Sequence, residues 1–136
     1  MFVVDTNVLA SLLIDGPFSP AARSLLTADP DWHSEPFVLV ELSNVLATQV
    51  RAGRLTLEAA QIALSHGAAT MEGRLHPIEH AAALTFAQRY VSSAYDARYL
   101  AVAHGLGQRL VTEDAALRRK APDLTCSLAE ALEAAQ

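Results

Sequence analysis

The sequence lacks the features of a secreted or membrane-spanning protein. Its single cysteine, Cys126, excludes an internal disulfide bond and fits a reducing cytoplasm. We expect this thiol to pack in the core. No apolar run approaches the ~18 residues that a membrane span needs, and no basic segment precedes the apolar N-terminus as it would in a signal peptide. These absences predict a cytoplasmic protein that does not enter a membrane.

Basic residues and metal-binding histidine patterns are also scarce. The chain has 10 lysines and arginines against 15 aspartates and glutamates, a net charge of −5. This balance argues against broad electrostatic capture of nucleic acid, although it leaves room for a local basic groove. His76 and His80 are separated by Pro77 and no third ligand accompanies them, so a zinc site is not favoured.

Linkers and repeats are missing as well, so we predict one domain over residues 1–136. Short apolar runs such as Phe2-Val3-Val4 suit strands that are covered on both faces. They alternate with helical patterns, which predicts an α/β fold with a small parallel sheet flanked by helices. The predicted strands are 2–4, 32–34, 109–112 and 124–126, with a weak one at 73–76. The predicted helices are 8–14, 20–28 (with Ser19 as its N-cap), 37–52, 57–71, 79–90, 96–106, 114–120 and a terminal helix capped by Ser127.

Asp5 stands where the first strand passes into a helix. Active sites in open α/β sheets form at the carboxyl ends of the strands. We therefore take Asp5 as the starting point for a candidate site.

Glu41 falls on the apolar stripe that Val38, Leu42 and Val45 form at helical spacing. A buried carboxylate is costly unless it is paired, protonated or bound to a cation. Two interpretations stand side by side: a functional acid, or a rim position or internal ion pair with an arginine.

Asp96 and Asp114 extend this pattern. Asp96 points toward the stripe of its helix at the first turn, and Asp114 follows the strand that contains Leu110 and Val111. Both are also explained by helix capping, which favours aspartate at these positions. Together with Asp5 and Glu41, however, they are expected to converge on one edge of the sheet. Oxygen ligands of this kind select Mg²⁺ or Mn²⁺ over zinc.

Four stretches of the chain resemble the PIN-domain ribonucleases, and most closely the VapC-type toxins of toxin–antitoxin pairs. They follow in order at residues 4–9 (VDTNVL), 39–46 (LVELSNVL), 94–103 (AYDARYLAVA) and 110–114 (LVTED). The third is fairly specific, whereas DTN and TxD alone are weak.

The resemblance implies a three-layer α/β/α sandwich and metal-dependent hydrolysis of RNA phosphodiester bonds. It implies an acidic catalytic and metal-binding site of Asp5, Glu41, Asp96 and Asp114 with Mg²⁺, or Mn²⁺ in its place. Glu113 is adjacent to Asp114 and is an additional source of charge.

The resemblance also gives roles to polar residues beside these acids. Thr6, Asn7 and Thr112 match positions that orient carboxylates and water, although each is equally suited to helix capping. Arg98, two residues after Asp96, is a candidate RNA contact or the partner of an acid. The basic residues at 51, 54 and 118–120 lie at predicted helix ends, where the helix dipole alone favours them.

Partners are implied by the family too. Its toxins are usually held inactive by a VapB-like antitoxin and tend to form homodimers. Helices 37–52 and 57–71 are candidates for these contacts, although packing in the core would account for most of their apolar residues. Two other functions remain open: a phosphoesterase acting on another phosphate ester, and a non-catalytic PIN-like binding module. The binding module would be marked by a missing acid, and none of the four is missing here.

Overall fold

The computed structural model describes all residues, 1–136, and consists of eight helices around a four-stranded sheet. The strands are β1 (Phe2–Val4), β2 (Trp32–His33), β3 (Leu110–Val111) and β4 (Thr125–Cys126). The helices are α1 (Thr6–Leu13), α2 (Ser19–Ala28), α3 (Phe37–Arg51), α4 (Leu57–Thr70), α5 (His80–Tyr90), α6 (Ala94–Leu106), α7 (Ala115–Lys120) and α8 (Leu128–Ala135).

The sheet is entirely parallel, in the order β2-β1-β3-β4. Val3 and Val4 of β1 and both residues of β3 are fully buried, as expected for strands covered on both faces. β1 and β3 are neighbours, so Asp5 and Thr112 leave the sheet at the same edge, each directly after its strand. The predicted α/β fold with helices flanking a small parallel sheet is confirmed.

Helices cover the sheet in two groups. α6 packs against β1 and β3, with α5 packed against α6. α1 packs against α2, α3 and α4, and α2 also packs against α8. The largest fully buried side chains are Trp32 and Tyr99, and the buried Cys126 lies in the same hydrophobic core, as predicted. No helix is long and apolar enough to cross a membrane.

Five helix starts differ from the prediction by one or two residues. α1 begins two residues early, at Thr6, because Asp5 caps it, and α5 begins one residue late, at His80. α6 begins two residues early, at Ala94, because Ser93 Oγ caps it by accepting a hydrogen bond from Asp96 N at 3.0 Å. Asp114 is the N-cap of α7 and not its first residue. The predicted cap at Ser19 is wrong: the cap position is Phe18, and Ser19 Oγ accepts from Gly16 N at 3.0 Å.

The weak strand predicted at 73–76 is reduced to one parallel bridge between Leu75 and Ser34. The loop that contains it is nevertheless fixed to β2, because Ser34 N donates to Arg74 O and His76 N donates to Ser34 O. The segment therefore extends the edge of the sheet without forming a named strand.

Candidate active site

Asp5 is a buried carboxylate at the start of α1, with 8% of its surface exposed. Its backbone is extended, so its side chain turns back and accepts a hydrogen bond from Val8 N at 3.0 Å. Burial raises the pKa of Asp5 to about 6; hydrogen bonds from Thr112 and Val8 oppose the rise, and the charges of Asp96 and Glu41 add to it. Asp5 is thus both the N-cap of α1 and an acid whose pKa is raised.

Glu41 is half-buried near the middle of α3. Its Oε1 accepts a hydrogen bond from Thr6 Oγ1 at 3.0 Å and a short one from Tyr99 OH. Thr6 and Tyr99 are also linked to each other at 2.9 Å. Glu41 makes no ion pair with an arginine, so two buried hydroxyls hold it in place of a cation.

Asp96 lies in the first turn of α6 and is half-buried. Burial raises its pKa, and the negative charges of Asp114 and Glu41 raise it further. The hydrogen bond from Ser93 and the charge of Lys120 act in the opposite direction. Asp5, Glu41 and Asp96 therefore interact as one electrostatic group.

These three acids line one cleft of about 350 Å³. Its walls come from α1, α3 and α6, and none of its residues is a lysine or arginine; they are Asp5, Thr6, Asn7, Phe37, Val40, Glu41, Asn44, Val45, Tyr95, Asp96 and Tyr99. A cleft that collects carboxylates without counter-charges is arranged to receive a cation.

Asp114 lies beside this cleft. It is exposed and its Oδ1 accepts from Leu117 N at 3.0 Å, so it caps α7. It lines a neighbouring cleft with Asn7, and its charge reaches Asp96. Glu113 is committed elsewhere: it accepts from Leu128 N at 2.7 Å and lies 3.6 Å from Arg118.

The polar residues that follow these acids have separate positions. Thr6 holds Glu41, as the orienting role predicts. Asn7 is exposed and borders both clefts. Thr112 is fully buried, lowers the pKa of Asp5 by hydrogen bonding and accepts from Asp114 N at 3.1 Å. Thr112 therefore connects Asp5 with the backbone of Asp114, the N-cap of α7.

Arg98 has the second of the two roles considered for it, since it pairs with an acid. Its guanidinium lies 3.2 Å from Glu35 Oε1 and donates to Ile78 O at 2.9 Å. It also contacts His80 Nδ1. Because Arg98 is largely buried in this network, it is not available to phosphate.

His76 and His80, the two histidines considered for a zinc site, belong to different hydrogen-bond networks. His80 contacts Arg98, whereas a ring nitrogen of His76 lies 2.8 Å from one of His33.

Comparison with known proteins decides the family. The profile of the PIN domain family matches residues 2–122. This chain belongs to the PIN domain family. A comparison with curated protein sequences gives no match.

The PIN fold is also seen in a solved structure. The crystal structure of PAE2754 from Pyrobaculum aerophilum superposes with a TM-score of 0.77 at 23% sequence identity. The match covers 98% of this chain and 95% of that one. PIN domains are mostly magnesium-dependent nucleases that bind the metal through acidic residues.

The donor set of this PIN domain fits such a metal. All four candidate acids offer oxygen ligands. Burial, and to a smaller extent the neighbouring carboxylates, raise the pKa values of Asp5 and Asp96, and a bound cation would stabilise their charged forms. No three acidic, histidine or cysteine side chains are close enough to enclose an ion by themselves. Mg²⁺ retains several waters and is usually held by one or two carboxylates, so a subset of these acids would be sufficient to hold it.

Three features at or near the site have no clear signature in the sequence. Glu35 precedes Pro36 in what reads as a loop, so its burial is not predicted. Tyr99 lies at helical spacing with apolar residues of α6, yet a buried tyrosine hydroxyl usually requires a partner, and that partner is Glu41. The pair of aromatic rings at the rim, Phe37 and Tyr95, gives no local signal because the residues lie on different helices.

Proposed function

We propose that this PIN domain is a magnesium-dependent endoribonuclease that hydrolyses RNA phosphodiester bonds, and that it is the toxin of a toxin–antitoxin pair. The observation that carries the nuclease proposal is the cleft that Asp5, Glu41 and Asp96 line together, with no lysine or arginine among its lining residues. Family membership supports the same chemistry.

Asp5 and Asp96 would hold Mg²⁺, or Mn²⁺ in its place, with Glu41 as a direct ligand or one that acts through water. Asp114 is the outermost acid, on the side of Asn7. When bound, such a metal supplies an activated water and stabilises charge on the phosphate oxygens. The hydroxyls of Thr6 and Tyr99 fix Glu41 for this task, and the peptide N–H of Val8 fixes Asp5.

The decisive experiment measures cleavage of a labelled RNA pool of random sequence with Mg²⁺ and with a chelator. We expect cleavage only with the metal, and its loss in Asp96→Asn. Glu72→Gln is the matched control, because Glu72 is exposed in the turn after α4. Equal cleavage by Asp96→Asn and the unmodified protein would contradict the site. Metal-dependent hydrolysis of p-nitrophenyl phosphate without RNA cleavage would favour the more general phosphoesterase.

The toxin role extends to a VapB-like antitoxin and a homodimer as partners. An apolar groove of about 340 Å³ between α3 and α4 supports a protein contact at this face. It is formed largely by Leu46, Val50, Leu57, Ala60 and Leu64, with Leu57 64% exposed. A short reading frame upstream of the gene, encoding a protein with a DNA-binding N-terminal half, would identify the antitoxin candidate.

The cellular test is induced expression in bacteria. We expect growth arrest that depends on Asp5 and is relieved when the upstream protein is co-expressed. Normal growth during accumulation of folded, RNA-cleaving protein would contradict the toxin role while leaving the nuclease in place. Sedimentation of the purified protein tests the homodimer separately.

A further inference from the structure

Two aromatic rings stand at the rim of the acidic cleft. Phe37 and Tyr95 are stacked with their centroids 5.2 Å apart and their planes inclined by 16°. Each is carried by a helix that also carries an acid: Tyr95 directly precedes Asp96 on α6, and Phe37 lies one helical turn before Glu41 on α3. The rings are therefore held at a fixed position relative to the candidate catalytic groups.

Packing of the core does not account for this pair. Tyr95 is 60% exposed, and the neighbouring Val40 in the same cleft is 59% exposed. The hydroxyl of Tyr95 makes no hydrogen bond to the protein, unlike that of Tyr99. Large apolar groups left open to solvent beside a polar cleft are typical of a contact surface.

The electrostatics of the cleft restrict what this surface can bind. The lining has three carboxylates and no lysine or arginine, so it offers no side-chain cation to phosphate groups. A polyanion held there by its backbone alone would meet net repulsion in the absence of metal. The charge of Lys120 reaches Asp96 from outside the lining, so a phosphate contact is available only beside the cleft. Within the cleft the bases are the remaining source of affinity for RNA, and an exposed aromatic ring binds any base by stacking.

We propose that Tyr95, backed by Phe37, is a stacking site for one unpaired nucleobase next to the cleaved bond. The proposal rests on the ribonuclease function proposed above. In a duplex each base is covered by its neighbours and its pair, so no base face is free for Tyr95. Unpaired bases expose that face, which is how single-stranded RNA is commonly recognised.

The test uses binding without cleavage. Asp5→Asn protein is titrated into an RNA of about ten nucleotides that carries a single 2-aminopurine, whose fluorescence is quenched when the base stacks on an aromatic ring. With this probe, adding Tyr95→Ala should weaken binding by about 10-fold or more and remove the quenching. Tyr95→Phe should retain both, because the ring remains.

Two controls isolate the stacking contribution. Leu84→Ala removes an exposed apolar side chain from α5, outside the cleft, and should change neither affinity nor quenching. The same RNA annealed to its complement should bind more weakly and be insensitive to Tyr95→Ala. Thermal melting of each variant confirms that it is folded.

The outcomes separate this proposal from the one it rests on. Unchanged affinity and quenching in Tyr95→Ala would overturn the stacking site even if the protein cleaves RNA. If Tyr95→Ala loses binding to a co-expressed protein partner but binds RNA as before, the stacking site is also overturned and the rim is assigned to protein recognition. Equal losses for single-stranded and duplex RNA would overturn the assignment to an unpaired base. If no RNA is cleaved while Tyr95-dependent quenching persists, the ribonuclease proposal fails and base binding remains.

Discussion

Two buried carboxylates in this PIN domain face opposite surroundings. Asp5 and Glu35 are only 8% and 4% exposed, respectively. Glu35 lies 3.2 Å from the guanidinium of Arg98 and also accepts from the backbone of Phe37 and Ile78. Asp5 accepts from Val8 but faces the charges of Glu41 and Asp96, and no cation lies opposite it.

The difference separates an acid with a structural partner from the candidate catalytic acid. Paired with Arg98, Glu35 joins three segments: the start of α3, the loop before α5, and α6. Asp5 gains no such compensation, so its burial raises its pKa to about 6. Burial alone therefore does not identify a functional carboxylate; the charge that faces it does.

Replacing each acid by its amide should reduce activity at Asp5 and stability at Glu35. The loss of activity is the largest effect that we expect. Asp5→Asn should reduce magnesium-dependent RNA cleavage by at least about 100-fold, because several kcal/mol of metal-assisted stabilisation are lost. Rates from single-turnover cleavage, with melting temperatures measured in parallel, check this. A comparable loss of activity in folded Glu35→Gln would remove the distinction between the two acids.

Glu35→Gln should act on stability instead. It leaves Arg98, whose side chain is 15% exposed, without its counter-charge, and removing one partner of a buried pair costs about 4 kcal/mol. Urea unfolding measures the loss. The double variant Glu35→Gln/Arg98→Met should lose less than the sum of the two single changes, since both break one interaction. Additive losses would show that Glu35 and Arg98 are not coupled.

The pH dependence of stability should reveal that no positive charge compensates the burial of Asp5. Its folded pKa of about 6 lies above the ordinary value of 3.8, so the folded state keeps a proton that the unfolded chain has already released. The free energy of unfolding should therefore decrease by up to about 3 kcal/mol as the pH rises from about 4 to above 6. Urea unfolding with a chelator present measures this loss.

The comparison with Asp5→Asn isolates this contribution, because the lowered pKa values of Asp29, Asp31 and Glu130 act in the opposite direction in both proteins. Near neutral pH the variant should be the more stable of the two. Identical pH profiles would mean that the pKa of Asp5 is not raised.

The comparison also explains what the sequence could predict. Asp5 was recognisable because it directly follows an apolar run, and Glu41 because it interrupts an apolar stripe; both signals are local. The partner of Glu35 lies 63 residues away and that of Glu41, Tyr99, lies 58 away, so neither contact has a local signature. Arg98 could be read as a phosphate contact or an ion-pair partner until the fold brought it to Glu35.

The predicted first residues of several helices were wrong for a related reason. The Oγ of Ser93 caps α6, a role that the adjacent Ser92 could equally have filled, whereas α2 follows Phe18 without any side-chain cap. The position of Asp114 depends on the same choice, because a capping aspartate is turned toward its own helix and stays beside the main cleft. The predicted fold did not depend on these details, whereas the distribution of the acids between the two clefts did.

The smallest effects are expected at Tyr99, because its uncharged hydroxyl only supports Glu41 through a hydrogen bond. Tyr99→Phe keeps the ring, which is 1% exposed, and removes the hydrogen bonds to Glu41 and Thr6. Half-buried Glu41 regains a partner from water, so stability should fall by only about 1.5 kcal/mol. Cleavage should fall by about 10-fold, since a ligand that loses its orienting group binds metal less well, and additional Mg²⁺ should restore part of it. Tyr90→Phe, a matched change on α5, should leave cleavage unaltered; an equal loss there would mean that Tyr99 acts through packing and that Glu41 is held by Thr6 alone.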